Sequence, residues 1–156
     1  LANRMRYPLE VVEAVRAVWP RSKPLAVRVS ATDWLDEEGW TIEDTVLLAR
    51  ELSARGCDLL DVSTAGNSPR SKPEYGRMYQ VPFAERVRYE TGMRVMAVGA
   101  IQGADHANTI LCAGRADLVA MARPHLADPH LTLRASLEYG VPDAVHWPKQ
   151  YLAAAR

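Results

Sequence analysis

This 156-residue chain carries no net charge, only two cysteines, one phenylalanine and no long apolar run. Nineteen basic and nineteen acidic residues are interspersed, which excludes the basic stripe of a nucleic-acid surface and the charged patch of a membrane-surface binder. Cys57 and Cys112 have neither CxxC nor metal-ligand spacing, so no disulfide framework or zinc site follows and both read as ordinary buried thiols. No apolar run approaches the roughly 20 residues that cross a bilayer, and the first residues lack the apolar core of a signal peptide. The expectation is a soluble, cytoplasmic protein. Also lacking are a phosphate-binding GxxxxGK[ST] loop, a GxGxxG turn opening a helix, a GxSxG elbow and an HExxH pair.

What is present is a regular alternation of helix and strand. With 48% apolar residues the chain can bury a core and reads as one globular unit. Pro8 is expected to open a first helix carrying Val11, Val12, Val15 and Val18, which Pro20 ends. Pro24 to Ser30 reads as a strand, with Ala26 and Arg28 on one face and Val27 and Val29 on the other. Thr41 is suited to cap a helix running to Arg55, with Glu43 and Asp44 in its first turn and Gly56 closing it. Strands follow at Asp58–Ser63, Val95–Val98 and Asp117–Ala122, and helices at about Pro82–Glu90, Ala104–Ala113 and Pro129–Tyr139. A long loop from Thr64 to Gln80 is rich in Ser, Pro and Gly.

A weak internal repeat supports this register: Gly56-Cys57-Asp58-Leu59-Leu60 and Gly114-Arg115-Ala116-Asp117-Leu118-Val119 both set a capping glycine shortly before Asp-Leu and a strand. Strands separated by whole helices must pair in parallel. About four βα units form either half of a (βα)8 barrel or a small doubly wound sheet. The half-barrel is favoured because polar residues recur at the carboxyl ends of the strands, the rim on which barrel sites gather: Arg28, Ser30, Asp61, Ser63, Gly99 and Arg123. Two of these ends, Met96-Ala97-Val98-Gly99-Ala100 and Leu118-Val119-Ala120-Met121-Ala122-Arg123, stop at a glycine and an arginine. A glycine lets a ligand approach the backbone and a guanidinium matches phosphate oxygens, so together they suggest a phosphate cradle.

Val27-Arg28-Val29-Ser30-Ala31-Thr32-Asp33-Trp34, Asp58-Leu59-Leu60-Asp61-Val62-Ser63, Tyr79-Gln80-Val81-Pro82-Phe83-Ala84, Ala97-Val98-Gly99-Ala100-Ile101 and Gly114-Arg115-Ala116-Asp117-Leu118-Val119 resemble, in order, the second half of the Old Yellow Enzyme family of FMN-dependent ene reductases. Three further blocks, Tyr75–Gln80, Ala122–Leu126 and Trp147–Leu152, are most similar to the reductase-like domain of salicylyl-CoA and 2-aminobenzoyl-CoA hydroxylase fusions. The resemblance implies FMN as cofactor, NAD(P)H as reductant and a small-molecule acceptor with a carbonyl-conjugated C=C bond, here an aromatic acyl-CoA. It assigns Arg28 to the pyrimidine edge of the flavin, where a fixed cation stabilises the charge of the reduced ring. Ser63 falls near the ribityl chain and phosphate, and Gly99, Ala122 and Arg123 fall at the phosphate. From the residues alone Arg28 also reads as an ion-pair partner of Asp61, and Ser63 as a serine satisfying a strand-end carbonyl. Ala122 replaces a glycine that the family often has.

No catalytic residue is assigned. The family's substrate-anchoring histidine pair belongs to the barrel's first half, and His106, His125, His130 and His146 read as structural or solvated, His125 being the nearest to a ligand. The chain opens on Leu1 rather than methionine, so residues 1–156 are read as a single partial domain whose upstream half is missing, inactive by itself. Unpaired edge strands then imply association with that half or with another copy. The neighbouring-subunit arginine of some relatives has no match after Gln150-Tyr151, and Arg156 is displaced from its place. Arg70, Lys72 and Arg77, with Tyr75 and Tyr79, make the 67–79 loop either a lid for an anionic substrate or a solvated charged loop. Competing readings are a non-catalytic phosphate- or nucleotide-binding half-barrel and a complete receiver-like domain.

Overall fold

The computed structural model describes residues 1–35 and 38–155. Helix α1 (Ala2–Val18) leads into β1 (Ala26–Ser30), α2 (Ile42–Ala54), β2 (Leu59–Ser63), α3 (Val81–Thr91), β3 (Val95–Val98), α4 (Ala104–Cys112) and β4 (Leu118–Ala120). Two short helices, α5 (Arg123–Ala127) and α6 (Leu131–Glu138), and two 3-10 turns follow. The four strands are parallel and lie in the order β1-β2-β3-β4. A doubly wound sheet reverses strand order at its switch point. Here each strand pairs with its predecessor, which is the order of consecutive units in a (βα)8 barrel.

The two faces of the sheet differ sharply. Leu60 and Val62 of β2 and Val95 and Ala97 of β3 are fully buried beneath the helices, together with Leu52 of α2, Val87 of α3 and Ile110 of α4. The opposite face carries the row Arg28, Asp61, Met96 and Leu118 in register, and one row nearer the carboxyl rim Ser30, Ser63, Val98 and Ala120. Leu118 is half exposed on this face, so the surface that would line a barrel's interior is open.

The repeated Gly…Asp-Leu segments fasten the opposite, amino-terminal end. Asp58 Oδ2 accepts the Leu25 N–H (2.8 Å) and pairs with Arg16 of α1 (3.3 Å). Asp117 Oδ2 accepts the Val95 N–H (2.9 Å) and is gripped by Arg88 of α3. In both, the aspartate before one strand caps the start of the preceding strand and ties down the helix ahead of it. Burial opposes ionisation of Asp117, yet the Arg88 and Val95 hydrogen bonds outweigh it and hold the carboxyl below its ordinary value.

Several boundaries differ from expectation. Pro8 lies inside α1 rather than opening it, because Met5 and Leu9 pack on the core beside buried Val12. Their spacing places one stripe on both sides of the proline, which outweighs the backbone bond that its missing N–H removes. Val11, Val15 and Val18 face outward. Strand β4 is shorter than Asp117–Ala122, ending at Ala120 just before Ala122 caps α5. Residues 123–127, between the expected strand and the expected last helix, form α5, and α6 begins two residues after Pro129. Cys57 is buried but Cys112 is exposed. Thr41 caps α2 as expected, in a reciprocal box with Asp44. Arg156 lies outside the described residues.

Candidate functional site

At the carboxyl rim, where β3 and β4 end, the chain encloses a cavity of about 670 Å³. It is lined by Val98, Gly99 and Ala100 at the end of β3, by Ala120, Ala122 and Arg123 at the end of β4, and by Tyr75, Gly76 and Tyr79 of the loop before α3. The structure therefore brings together Gly99, Ala122 and Arg123, three of the residues singled out for a phosphate. Arg123 is exposed and, among the described residues, has no carboxylate at ion-pair distance. Tyr75 and Tyr79 meet edge to face at 5.3 Å between ring centroids. Burial and the neighbouring Tyr75 push the Tyr79 phenol above its ordinary value, while the Arg123 charge opposes that rise.

Gly99 has φ +104°, where a side chain is rarely accommodated. It is also crowded from behind: a Cβ there would lie 2.7 Å from Gln80 Cδ and 2.8 Å from Cγ. Gln80, the residue that caps α3, is 4% exposed. Its Oε1 accepts from the Thr64 N–H (2.6 Å), the Thr64 hydroxyl (2.7 Å) and the Ser63 hydroxyl (3.3 Å), and its Nε2 donates to the Val98 carbonyl (3.1 Å). One buried carboxamide thus joins the ends of β2 and β3. In the sequence Gln80 was visible only as a member of a family block. The weak signal available was a polar residue at a loop's end just before Val-Pro, the start of a helix.

The other two singled-out residues stand apart from the cavity. Arg28 is on the same sheet face, and its Nε pairs with Asp61 Oδ2 at 2.7 Å while 58% of the side chain stays exposed. Asp61 is nearly buried, and its other oxygen, Oδ1, has no hydrogen-bond partner. Ser63 ends β2 and spends its hydroxyl on Gln80. His125 does not line the cavity. His106 accepts the Gln102 N–H at the start of α4, His130 stacks edge-on against Tyr151, and no group of metal-ligating side chains occurs among the described residues. In the 67–79 loop Arg70 pairs with Glu38 in the open, while Asn67 and Ser71 fasten the loop to Asp33.

Consecutive parallel βα units with a cavity at their carboxyl rim are the arrangement of part of a (βα)8 barrel. Residues 1–143 match the NADH:flavin oxidoreductase / NADH oxidase family. The chain belongs to that family, whose members are FMN-dependent and take reducing equivalents from NAD(P)H. It is 43% identical over 138 residues to an NADPH dehydrogenase of Geobacillus sp. (strain WCH70), covering 88% of this chain and 39% of that protein. Against the NADPH dehydrogenase of Listeria welshimeri it is 37% identical over 152 residues, covering 97% and 43% respectively. The chain thus spans about two fifths of the length of these relatives. Among solved structures it resembles 2-naphthoyl-CoA reductase in complex with 2-naphthoyl-CoA, with TM-score 0.74 and 25% identity over 90% of this chain and 22% of that one. The 6-hydroxypseudooxynicotine amine oxidase of Pseudomonas geniculata N1 gives TM-score 0.71 and 26% identity over 90% of this chain and 21% of that one. No helix among the described residues is long and apolar enough to cross a membrane.

Proposed function

We propose that this chain forms the phosphate-holding and ring-edge half of an FMN site in an NAD(P)H-dependent oxidoreductase acting on carbonyl-conjugated C=C bonds. The observation that carries it is the convergence of Gly99, Ala122 and Arg123 on one cavity, on the sheet face that Arg28 shares. The donor set suits a phosphorylated flavin: a guanidinium with no carboxylate at ion-pair distance among the described residues offers two parallel N–H bonds to phosphate oxygens, and Gly99 keeps the wall bare for close approach. From β1 to β3 is two strand spacings, about 10 Å, so Arg28 and the cradle suit opposite ends of one elongated ligand.

FMN, when bound, supplies the two-electron redox chemistry. Arg28 would present a cation to the pyrimidine edge, held by its Nε on Asp61 so that the terminal nitrogens are left to the ligand. Ser63 would face the ribityl end of the phosphate. The half-exposed residues of the open sheet face are to be covered by the complementary barrel half or by another copy of the chain. The 156 residues by themselves include no substrate-anchoring histidine pair, so they bind flavin without reducing an enone. An aromatic acyl-CoA is the proposed acceptor of the whole protein, supported by the likeness to 2-naphthoyl-CoA reductase.

Titration of the purified chain with FMN, followed by flavin fluorescence, tests the reading. Arg123→Ala should weaken binding by about 1 to 3 kcal/mol, the range for a hydrogen bond to a charged group. Equal affinity in the variant would remove the phosphate assignment. The competing reading, a nucleotide-binding half-barrel without redox chemistry, is favoured if the chain binds phosphorylated nucleotides as tightly as FMN.

A further inference from the structure

We infer that Gln80, which lines no part of the cavity, is a positioning residue that sets the Gly99 wall of the phosphate cradle. The inference rests on the FMN reading above and extends it to a residue behind the site. Gly99 lies within a stretch of backbone, Val98 to Ala100, that the segment before α3 holds at two points. The Val98 carbonyl, in the peptide unit that enters Gly99, accepts from Gln80 Nε2 at 3.1 Å, and the Ala100 carbonyl, one peptide unit beyond the one that leaves Gly99, accepts from the Met78 N–H at 3.3 Å. The planar peptide before Gly99 is thus held by the carboxamide, and the chain is anchored again at Ala100, so the backbone through Gly99 is restrained on both sides. Its φ of +104° is one that glycine adopts readily and a residue with a side chain rarely does.

The other end of the carboxamide supplies the rigidity. Gln80 Oε1 takes three donors from Ser63 and Thr64 at the end of β2. Thr64 and Gln80 are both buried, so the bridge is shielded from competing water. The side chain also fills the space behind Gly99, where a Cβ would strike Gln80 Cγ and Cδ. Gln80 therefore fixes the distance between the β2 and β3 ends, orients the Gly99 backbone and forbids a side chain there. A ligand phosphate meets a wall already in place.

The test compares FMN with riboflavin, which lacks the phosphate, as ligands of the unmodified chain and of Gln80→Glu. Glutamate keeps the three acceptor contacts but opposes a carboxylate oxygen to the Val98 carbonyl. The expected result is an FMN affinity about tenfold lower, the effect of one net hydrogen bond, with riboflavin affinity changed less than about threefold, so that the FMN-to-riboflavin ratio falls. If FMN and riboflavin weaken together, Gln80 is only structural and the inference is overturned. It is equally overturned if Gln80→Glu leaves the ratio unchanged while Arg123→Ala lowers it, and the FMN reading then stands. If the unmodified chain shows no preference for FMN, or Arg123→Ala leaves that preference intact, the reading of the cavity fails and this inference with it. Gln80→Asn, which keeps the amide but shortens it by one methylene, is judged by the same ratio should the glutamate variant not fold.

Discussion

Replacing Gly99 by alanine probes the most constrained point of the candidate site. A side chain at φ +104° costs about 1 to 2 kcal/mol in backbone strain. The added methyl would lie 2.8 Å from Gln80 Cγ and 2.7 Å from Cδ, so the stem of the glutamine must move and not just its tip. That displacement breaks the bonds to the Thr64 N–H, the Thr64 hydroxyl and the Val98 carbonyl. At about 1 kcal/mol net each, these three bonds add about 2 to 3 kcal/mol. The total of about 3 to 5 kcal/mol is a large part of the 5 to 15 kcal/mol typical of a domain. Urea unfolding followed by far-UV circular dichroism measures it. The Gly99→Ala, Gln80→Ala double variant separates the contributions: with the glutamine side chain gone only the strain remains, so the two changes should be less than additive by about 1 kcal/mol or more. A loss below about 1 kcal/mol for Gly99→Ala, or full additivity, would refute the packing argument.

Other outcomes follow from the same contacts. Thr41→Ala removes the side chain that accepts the Asp44 N–H at the head of α2 and should cost about 1 kcal/mol in the same unfolding assay. Asp117 has a folded-state value below its unfolded one, so its contribution is present above pH about 4 and is lost as the pH falls through the folded value. Urea midpoints taken across that acid range should fall for the unmodified chain and fall less for Asp117→Asn; parallel curves would remove Asp117 from the acid limb. Arg123→Ala should weaken FMN without moving the urea midpoint by more than about 0.5 kcal/mol in stability, because the side chain is exposed.

Which elements were legible in the sequence follows from where their determinants lie. The α2 cap at Thr41, the strands at Leu59–Ser63 and Val95–Val98 and the parallel pairing rest on local chemistry, namely a capping residue, short apolar runs and intervening helices. The run of α1 through Pro8 was not legible, since it depends on which residues the core receives. Likewise the sequence marked Gly99 and Arg123 through their position after apolar runs, and Ala122 through the family resemblance, and these do share a cavity. Gln80 went unmarked because its partners Ser63, Thr64 and Val98 are 16 to 18 residues away and meet it only when β2 and β3 lie side by side.

Alternation of helix and strand, the recurrence of Gly and Asp-Leu, and a glycine and an arginine closing two apolar runs were decided by the order of residues alone, because each acts over a few positions of chain. Whether four strands would lie in sequential order, leaving one face open, was decided by the folded sheet. So were the pairing of Arg28 with Asp61 and the single carboxamide that holds Gly99 in place. Hydrogen bonds and ion pairs between distant segments exist only once packing brings those segments within about 3 Å, and the sequence of either segment does not contain that distance.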